Sequence, residues 1–194
     1  RMAGIRIWML TGDKVETASN IALSTRLVER NEPLYTAQRL TQVEEGWRLI
    51  EHLRRNPHHA LVLDGTSLQL LMEHMADEFM AVATELSAVV CCRCTPTQKA
   101  DVARMIKAYT GTRVCCIGDG GNDVSMIQAA DVGVGIVGKE GRQASLAADV
   151  SIEAFSHLLR LILWHGRNSY KRTAKIALFI IHRGFTIAIM QALF

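Results

Sequence analysis

The sequence predicts an α/β fold, a parallel sheet flanked by helices, and three observations predict it. Short β-rich runs alternate with longer runs of helical periodicity; most of the short runs end at Gly or Asp; and the short runs are brief and mainly apolar, as strands covered on both faces are.

Five runs read as strands: Ile5 to Leu10, Ala60 to Leu63, Ala88 to Cys92, Arg113 to Ile117 and Val132 to Ile136, with Val150 to Ile152 as a short sixth. Between them, Val15 to Leu27 carries apolar residues at helical spacing and Val43 to Leu53 is weakly amphipathic. Pro96 to Tyr109 begins with Thr95 as N-cap and Pro96 at the first helical position, and a further helical run extends from Asp123 to Ala129. Glu29 to Thr41 is polar and contains Pro33, so it is expected to be a surface excursion from the basic unit. No internal repeat or low-complexity run stands out.

Composition bounds the possibilities. The 194 residues, 49% hydrophobic and 21% charged, suffice for one substantial core with an appendage. The formal net charge of +3 is an ordinary excess, and no long Lys/Arg run of the kind that binds nucleic acid occurs. Cys91, Cys92, Cys94, Cys115 and Cys116 lie in or beside apolar runs, without the paired Cys-x-x-Cys and His sets that zinc needs. They read as buried, reduced thiols on a cytosolic face. The opening Arg1-Met2-Ala3-Gly4 shows no secretory signal, and Phe194 falls inside an apolar segment, so both ends are expected to be cut.

After Ser156 the character changes. Leu158 to Trp164 is apolar, then His165, Arg167, Lys171, Arg172 and Lys175 cluster, and Ile176 to Phe194 is mostly apolar. The last run approaches the roughly 20 residues that cross a bilayer, and the basic cluster before it fits a cytosolic entry. His182, Arg183 and Gly184 interrupt it. An Arg at mid-membrane costs about 2.5 to 3.5 kcal/mol on insertion scales, so Arg183 is expected to face a protein interior or polar path. The alternative is a buried amphipathic helix closing a soluble domain.

Three elements end or follow strands and would converge at the carboxyl edge of a parallel sheet. In Thr11-Gly12-Asp13, the Thr11 hydroxyl, the Gly12 amide and the following helix N-terminus suit phosphate oxygens, while Asp13 is either an N-cap or a carboxylate near a magnesium shell. Lys99, one turn into the helix after Arg93-Cys94-Thr95-Pro96-Thr97-Gln98, offers a point charge for a phosphoryl group, and Arg93 is placed to reach a nucleotide. In Gly118-Asp119-Gly120-Gly121-Asn122-Asp123, two carboxylates separated by glycines offer hard ligands for Mg²⁺, Asp119 directly. Asp123 would support the metal or pair with Lys99, and the Asn122 amide would orient phosphate or water. Taken alone, Gly118-Asp119-Gly120 is also compatible with a plain β-turn.

Thr11-Gly12-Asp13-Lys14, Lys99 after Thr95-Pro96, and the loop at 118 to 123 together resemble the phosphorylation domain of P-type ATPases, which has the haloacid-dehalogenase-like, Rossmann-like fold. Gly-Gly-Asn-Asp followed by Val124 to Ile136 resembles the phospholipid flippases of the P4 subfamily, as do Asp64-Gly65-Thr66-Ser67-Leu68 and Gln143 to Phe155. His165 to Tyr170 resembles the stalk leading into the family's fifth membrane helix. Asn168 to Arg172 and His182-Arg183 are closest to the branch holding the ninth-class flippases and the yeast Neo1-type proteins. Many flippases carry Lys at or near the place of Arg183.

The resemblance implies residues 1-156 as the C-terminal part of the phosphorylation domain, 157-175 as a stalk helix, and 176-194 as the start of a transmembrane helix. It implies Mg²⁺ and ATP as cofactors, a phospholipid substrate, an accessory subunit as a candidate partner, and an integral membrane protein of Golgi or endosomal membranes with this domain on the cytosolic side. Thr11, Asp13, Lys99 and Asn122 would be catalytic. Thr11, Gly12, Asp13, Arg93, Lys99, Asn122 and Asp123 would bind nucleotide or phosphate, and Asp119 and Asp123 the metal. The family's phosphorylated aspartate lies in Asp-Lys-Thr-Gly-Thr, which does not occur in this chain, so the nucleophile is expected upstream and this chain alone is expected to be inactive. The alternatives are a P-type cation pump, a soluble phosphatase of the same fold, and a non-catalytic Mg²⁺- or nucleotide-binding fragment.

Overall fold

Strands and helices alternate through the residues that the computed structural model describes, 4–29, 31–138 and 142–193. Arg1 to Ala3 and Phe194, taken above as signs of a cut chain, lie outside them. The order runs β1 (Trp8–Leu10), α1 (Val15–Ser24), β2 (Leu34–Ala37), α2 (Val43–Arg55), β3 (Ala60–Asp64), α3 (Gly65–His74), α4 (Ala76–Ala83) and β4 (Val89–Cys92). It continues with α5 (Pro96–Thr110), β5 (Cys115–Gly118), α6 (Val124–Ala129), β6 (Val132–Ile136), α7 (Gln143–Ala147) and β7 (Val150–Ile152). A helix then follows as α8 (His157–Arg160), a π-helical turn (Leu161–Gly166) and α9 (Arg167–Leu193). The chain divides into two compact units after Ser151.

The first unit holds two sheets, ordered β1-β4-β3-β2 and β5-β6-β7. All pairings in the first are parallel, with Leu10 opposite Cys91 and Asp64 opposite Cys92, and β5 is parallel to β6. Within the first sheet the strand ends therefore deliver their loops to one edge, and β5 and β6 likewise share one. β3 and β4 are buried at every position, which is why they read as unbroken apolar runs. Their side chains alternate between two cores. Leu61, Leu63, Val89 and Cys91 pack with Leu49, Leu53, Leu68, Leu71, Phe79 and Met80 from α2, α3 and α4. Ala60, Val62, Val90 and Cys92 pack on the other face with Val15, Ala18 and Ala22 of α1. Burying each large side chain contributes roughly 1.5–3 kcal/mol.

The expected surface excursion from Glu29 to Thr41 is corrected: it contains β2, paired with β3 from Leu34↔Ala60 to Ala37↔Leu63. β2 is a short edge strand, Leu34-Tyr35-Thr36-Ala37, in which only Ala37 is buried, so it is lost within a polar stretch. The first strand is shorter than expected, Trp8–Leu10, and β5 is displaced one to two residues from Arg113 to Ile117. α3 and α4 were not assigned from periodicity. α3 starts at Asp64, whose Oδ1 accepts the Ser67 N–H at 3.0 Å.

α5 forms as its N-terminal residues dictate. Thr95 Oγ1 accepts the Gln98 N–H at 3.2 Å, and Gln98 Oε1 accepts the Thr95 N–H at 3.0 Å. Pro96 follows at the first helical position, and Gly111 ends the helix with φ 62°.

In the second unit, His157 to Leu193 is one 37-residue helix, long and apolar enough to cross a membrane, with none of its most apolar stretch buried in this chain.

Candidate functional site

Parallel strands bring the loops after β1 and β4 to one edge, where backbone hydrogen bonds fasten them together, and side chains of α5 reach the loop after β5. Beyond the end of β1 the Thr11 N–H donates to the Cys91 carbonyl at 2.8 Å, the Cys94 N–H to the Thr11 carbonyl at 3.0 Å, and the Arg93 N–H to the Asp13 carbonyl at 3.0 Å. Thr11-Gly12-Asp13 closes on itself. The Thr11 hydroxyl donates to Asp13 Oδ2 at 2.9 Å and accepts the Asp13 N–H at 3.1 Å. The N-cap of α1 is Lys14, with no side-chain cap, so the N-cap alternative for Asp13 falls away. Gly12 is exposed, and a Cβ there would meet nothing within 4 Å. Open space, rather than packing, surrounds this turn.

Arg93 has φ 51°, a left-handed conformation costing about 1–3 kcal/mol in a non-glycine residue. Gly65 makes room for it: a Cβ on Gly65 would lie 2.6 Å from the Arg93 carbonyl oxygen. The Arg93 side chain is exposed.

α5 links these loops to the third. Lys99 Nζ lies 2.8 Å from Asp123 Oδ1, with the two side chains 10% and 13% exposed. Asp123 reaches Lys99 because Gly118 has no side chain. A Cβ on Gly118 would lie 2.3 Å from Asp123 Cβ. The Ser125 hydroxyl donates to the Pro96 carbonyl at 3.0 Å and adds a second tie between α5 and α6.

Gln98, which the sequence reading did not single out, donates through Nε2 to the Gly65 carbonyl at 2.8 Å while its Oε1 caps α5. Asp64 opens the run Asp64-Gly65-Thr66-Ser67-Leu68 that carries part of the resemblance. It is buried, its carboxylate accepting N–H groups of Ser67 and Arg39 and the Thr66 hydroxyl. Burial works to raise its pKa, and these hydrogen bonds together outweigh it and hold the carboxyl below its ordinary value. Thr-x-x-Gln at 95–98 and Asp before a helical run at 64 are the sequence signals that find both.

Asp119 and Asn122 are exposed, and among the described residues neither side chain has a hydrogen bond or ion pair. No group of three or more His, Cys, Asp or Glu side chains able to hold a metal occurs among the described residues. Asp119 thus offers a free hard oxygen donor, while Asp123 has one oxygen engaged by Lys99. That donor chemistry fits Mg²⁺ as part of a ligand set.

Residues 145–194 match the family model described as phospholipid-translocating P-type ATPase C-terminal. Over its full length the chain is 58% identical to the phospholipid-transporting ATPase NEO1 of Saccharomyces cerevisiae, covering 17% of that protein. It is 54% identical to the phospholipid-transporting ATPase neo1 of Schizosaccharomyces pombe, covering 19%, and 53% identical to the probable phospholipid-transporting ATPase IIB of Homo sapiens, covering 17%. The chain therefore spans less than a fifth of the length of these curated relatives.

Proposed function

The chain belongs to the phospholipid-translocating P-type ATPases, and on that premise we propose that it supplies half of the phosphoryl-transfer site of an ATP-driven lipid translocase. The other half is an aspartate nucleophile on a strand outside this chain. The observation that carries the reading is the withdrawn Lys99–Asp123 pair, 2.8 Å apart beside the unpartnered Asp119.

In this reading the haloacid-dehalogenase-like sheet is completed by the nucleophile-bearing strand, which adds between β1 and β5. Two facts support that place. Both strands end their sheets, and Leu10 of β1 packs in one cluster with Cys116 of β5. Unpaired strand edges are templates for pairing.

Thr11, Gly12 and Asp13 would receive phosphate oxygens in the open space beside Gly12. Lys99, oriented by Asp123, would neutralise charge on the transferred phosphoryl group, and the Asn122 amide would position it or the attacking water. Arg93 would contact nucleotide. Asp119 would hold Mg²⁺ with Asp123 in support; bound there, the metal neutralises charge on phosphate oxygens. The parent protein would then form and hydrolyse an aspartyl phosphate while moving an aminophospholipid to the cytosolic leaflet. The helix from His157 would carry the stalk to residue 175 and cross the membrane beyond it, with an accessory subunit and a Golgi or endosomal location belonging to the same proposal.

The test is a chain extended upstream. It should incorporate γ-phosphate from Mg-ATP in a hydroxylamine-sensitive bond, and the 194-residue chain should not. An extended chain without an Asp-Lys-Thr-Gly-Thr segment would end the proposal.

A further inference from the structure

At the amino edge of the first sheet, opposite the loops after β1 and β4, two histidines flank the turn from α2 to β3. His52 lies in the last turn of α2, and His59 comes immediately before Ala60, the first residue of β3. The turn between them is tied down. The His59 N–H donates to the Asn56 carbonyl at 3.1 Å, the Asn56 N–H to the Leu53 carbonyl at 3.0 Å, and Asn56 Nδ2 to the His52 carbonyl at 2.8 Å. Tyr35 of β2 lies against the His52 ring, with centroids 4.4 Å apart and planes 32° from parallel. Both rings are therefore held in place before any ligand arrives.

This edge also gathers unmet polar atoms. Among the described residues, three buried side-chain nitrogen or oxygen atoms lack a hydrogen-bond partner: His52 Nε2, His59 Nδ1 and Ser87 Oγ. Leu61 pairs with Val89, and His59 and Ser87 each come two residues earlier. Two residues is one full pleat, so the register carries His59 and Ser87 side by side on one face. A buried polar atom without a partner costs about 1–3 kcal/mol. Three of them at one place call for a shared ligand.

Ring geometry and donor chemistry choose that ligand. The centroids of His52 and His59 are 5.5 Å apart, with 54° between the planes. Two imidazoles bound to one tetrahedral zinc ion at about 2.0–2.1 Å have their centroids roughly 5 Å apart. Imidazole nitrogens suit Zn²⁺, whereas Mg²⁺ takes oxygen.

We propose that His52 and His59 bind one Zn²⁺ ion, through Nε2 and Nδ1 respectively, with Ser87 Oγ and water in the remaining positions. Each ring then carries its proton on the other nitrogen. The ion clips the end of α2 to the start of β3, and because it binds the folded arrangement alone, it stabilises the first unit. This site is separate from the magnesium and phosphate loops and does not depend on the ATPase reading.

The experiment takes the full parent protein, stripped of metal by a chelator that is then removed, and titrates it with ZnCl₂ by calorimetry. His52→Gln, His59→Gln and the double variant are titrated alongside. Each single substitution is expected to weaken the binding of one ion by about tenfold or more, and the double variant to lose it. Equal heats in the unmodified and doubly substituted proteins overturn the proposal, because zinc then lies elsewhere and a bridging water alone fills the gap. A second measurement needs no variant. The zinc-edge X-ray absorption spectrum of the unmodified protein, loaded with one equivalent, should show imidazole neighbours, and a shell of oxygen or sulfur without imidazole overturns the site.

Discussion

The ammonium of Lys99 meets the carboxylate of Asp123 at 2.8 Å, joining the helix after β4 to the loop after β5 with both side chains nearly withdrawn from water. Such a pair is costly to break from one side, because the remaining charge is left unpaired. Lys99→Met should therefore destabilise the first unit by about 3–5 kcal/mol. Lys99→Met combined with Asp123→Leu should recover much of that loss. Urea unfolding of the single and double variants measures the difference, and equal destabilisation in both would refute a coupled pair.

Gly118 is the position that lets Asp123 fold back toward Lys99, since a Cβ there would overlap Asp123 Cβ at 2.3 Å. Gly118→Ala should cost about 1–3 kcal/mol by overpacking and displace Asp123. Gly120→Ala, where the nearest atom to a new Cβ is 4.0 Å away, should be far milder. Thermal melts of the two variants rank the glycines, and a reversed order would contradict the loop geometry.

Much of this frame was legible in the sequence, for a physical reason. β3 and β4 are apolar runs fixed by burial, and α5 announces itself through Thr95, Pro96 and Gln98. β2 escaped because an edge strand needs few buried residues, and Ala37 is its only one. α3 and α4 escaped because they are short helices behind β3 whose contacts, Leu68 and Leu71 with Phe79 and Met80, are tertiary. The meeting of the loops after β1 and β4 follows from strand order. The left-handed turn at Arg93 does not, because no periodicity reveals it.

Asp119 has no internal partner, so Asp119→Ala should change stability by no more than about 0.5 kcal/mol. The same change should abolish any Mg²⁺-dependent heat of binding a phosphate mimic. Paired calorimetry and melting experiments separate the two effects. Identical binding heats in the two proteins would remove Asp119 from the metal site.

Asp131 ties Lys107 at 2.9 Å and Arg113 at 3.0 Å, and its carboxylate accepts the Val114 N–H at 3.0 Å. The hydrogen bond from Lys107, then those from Val114 and Arg113, hold its pKa down at about 2 from an ordinary 3.8. A folded value below the unfolded one makes this contribution complete above about pH 4 and lost as pH falls through about 2. Asp131→Asn should thus lower the urea midpoint at pH 6, and the gap from the unmodified chain should close between pH 4 and 2. A gap that stays constant over that range would show that the carboxylate charge is not what stabilises.

The long helix places Arg183 among Ile180, Ile181 and Phe185, and the sequence has no Asp or Glu after Glu153 to neutralise it. An arginine near the centre of a membrane helix costs about 2.5–3.5 kcal/mol on insertion scales. In an insertion assay on the 157–193 segment alone, Arg183→Leu should therefore raise the inserted fraction strongly, and Arg183→Lys should leave it near the starting level. If the parent protein instead supplies a polar path or a partner charge, the order reverses in function: Arg183→Leu should insert well and transport poorly, whereas Arg183→Lys should transport. Normal lipid movement by the leucine variant would mean that the charge at 183 has no part in the path.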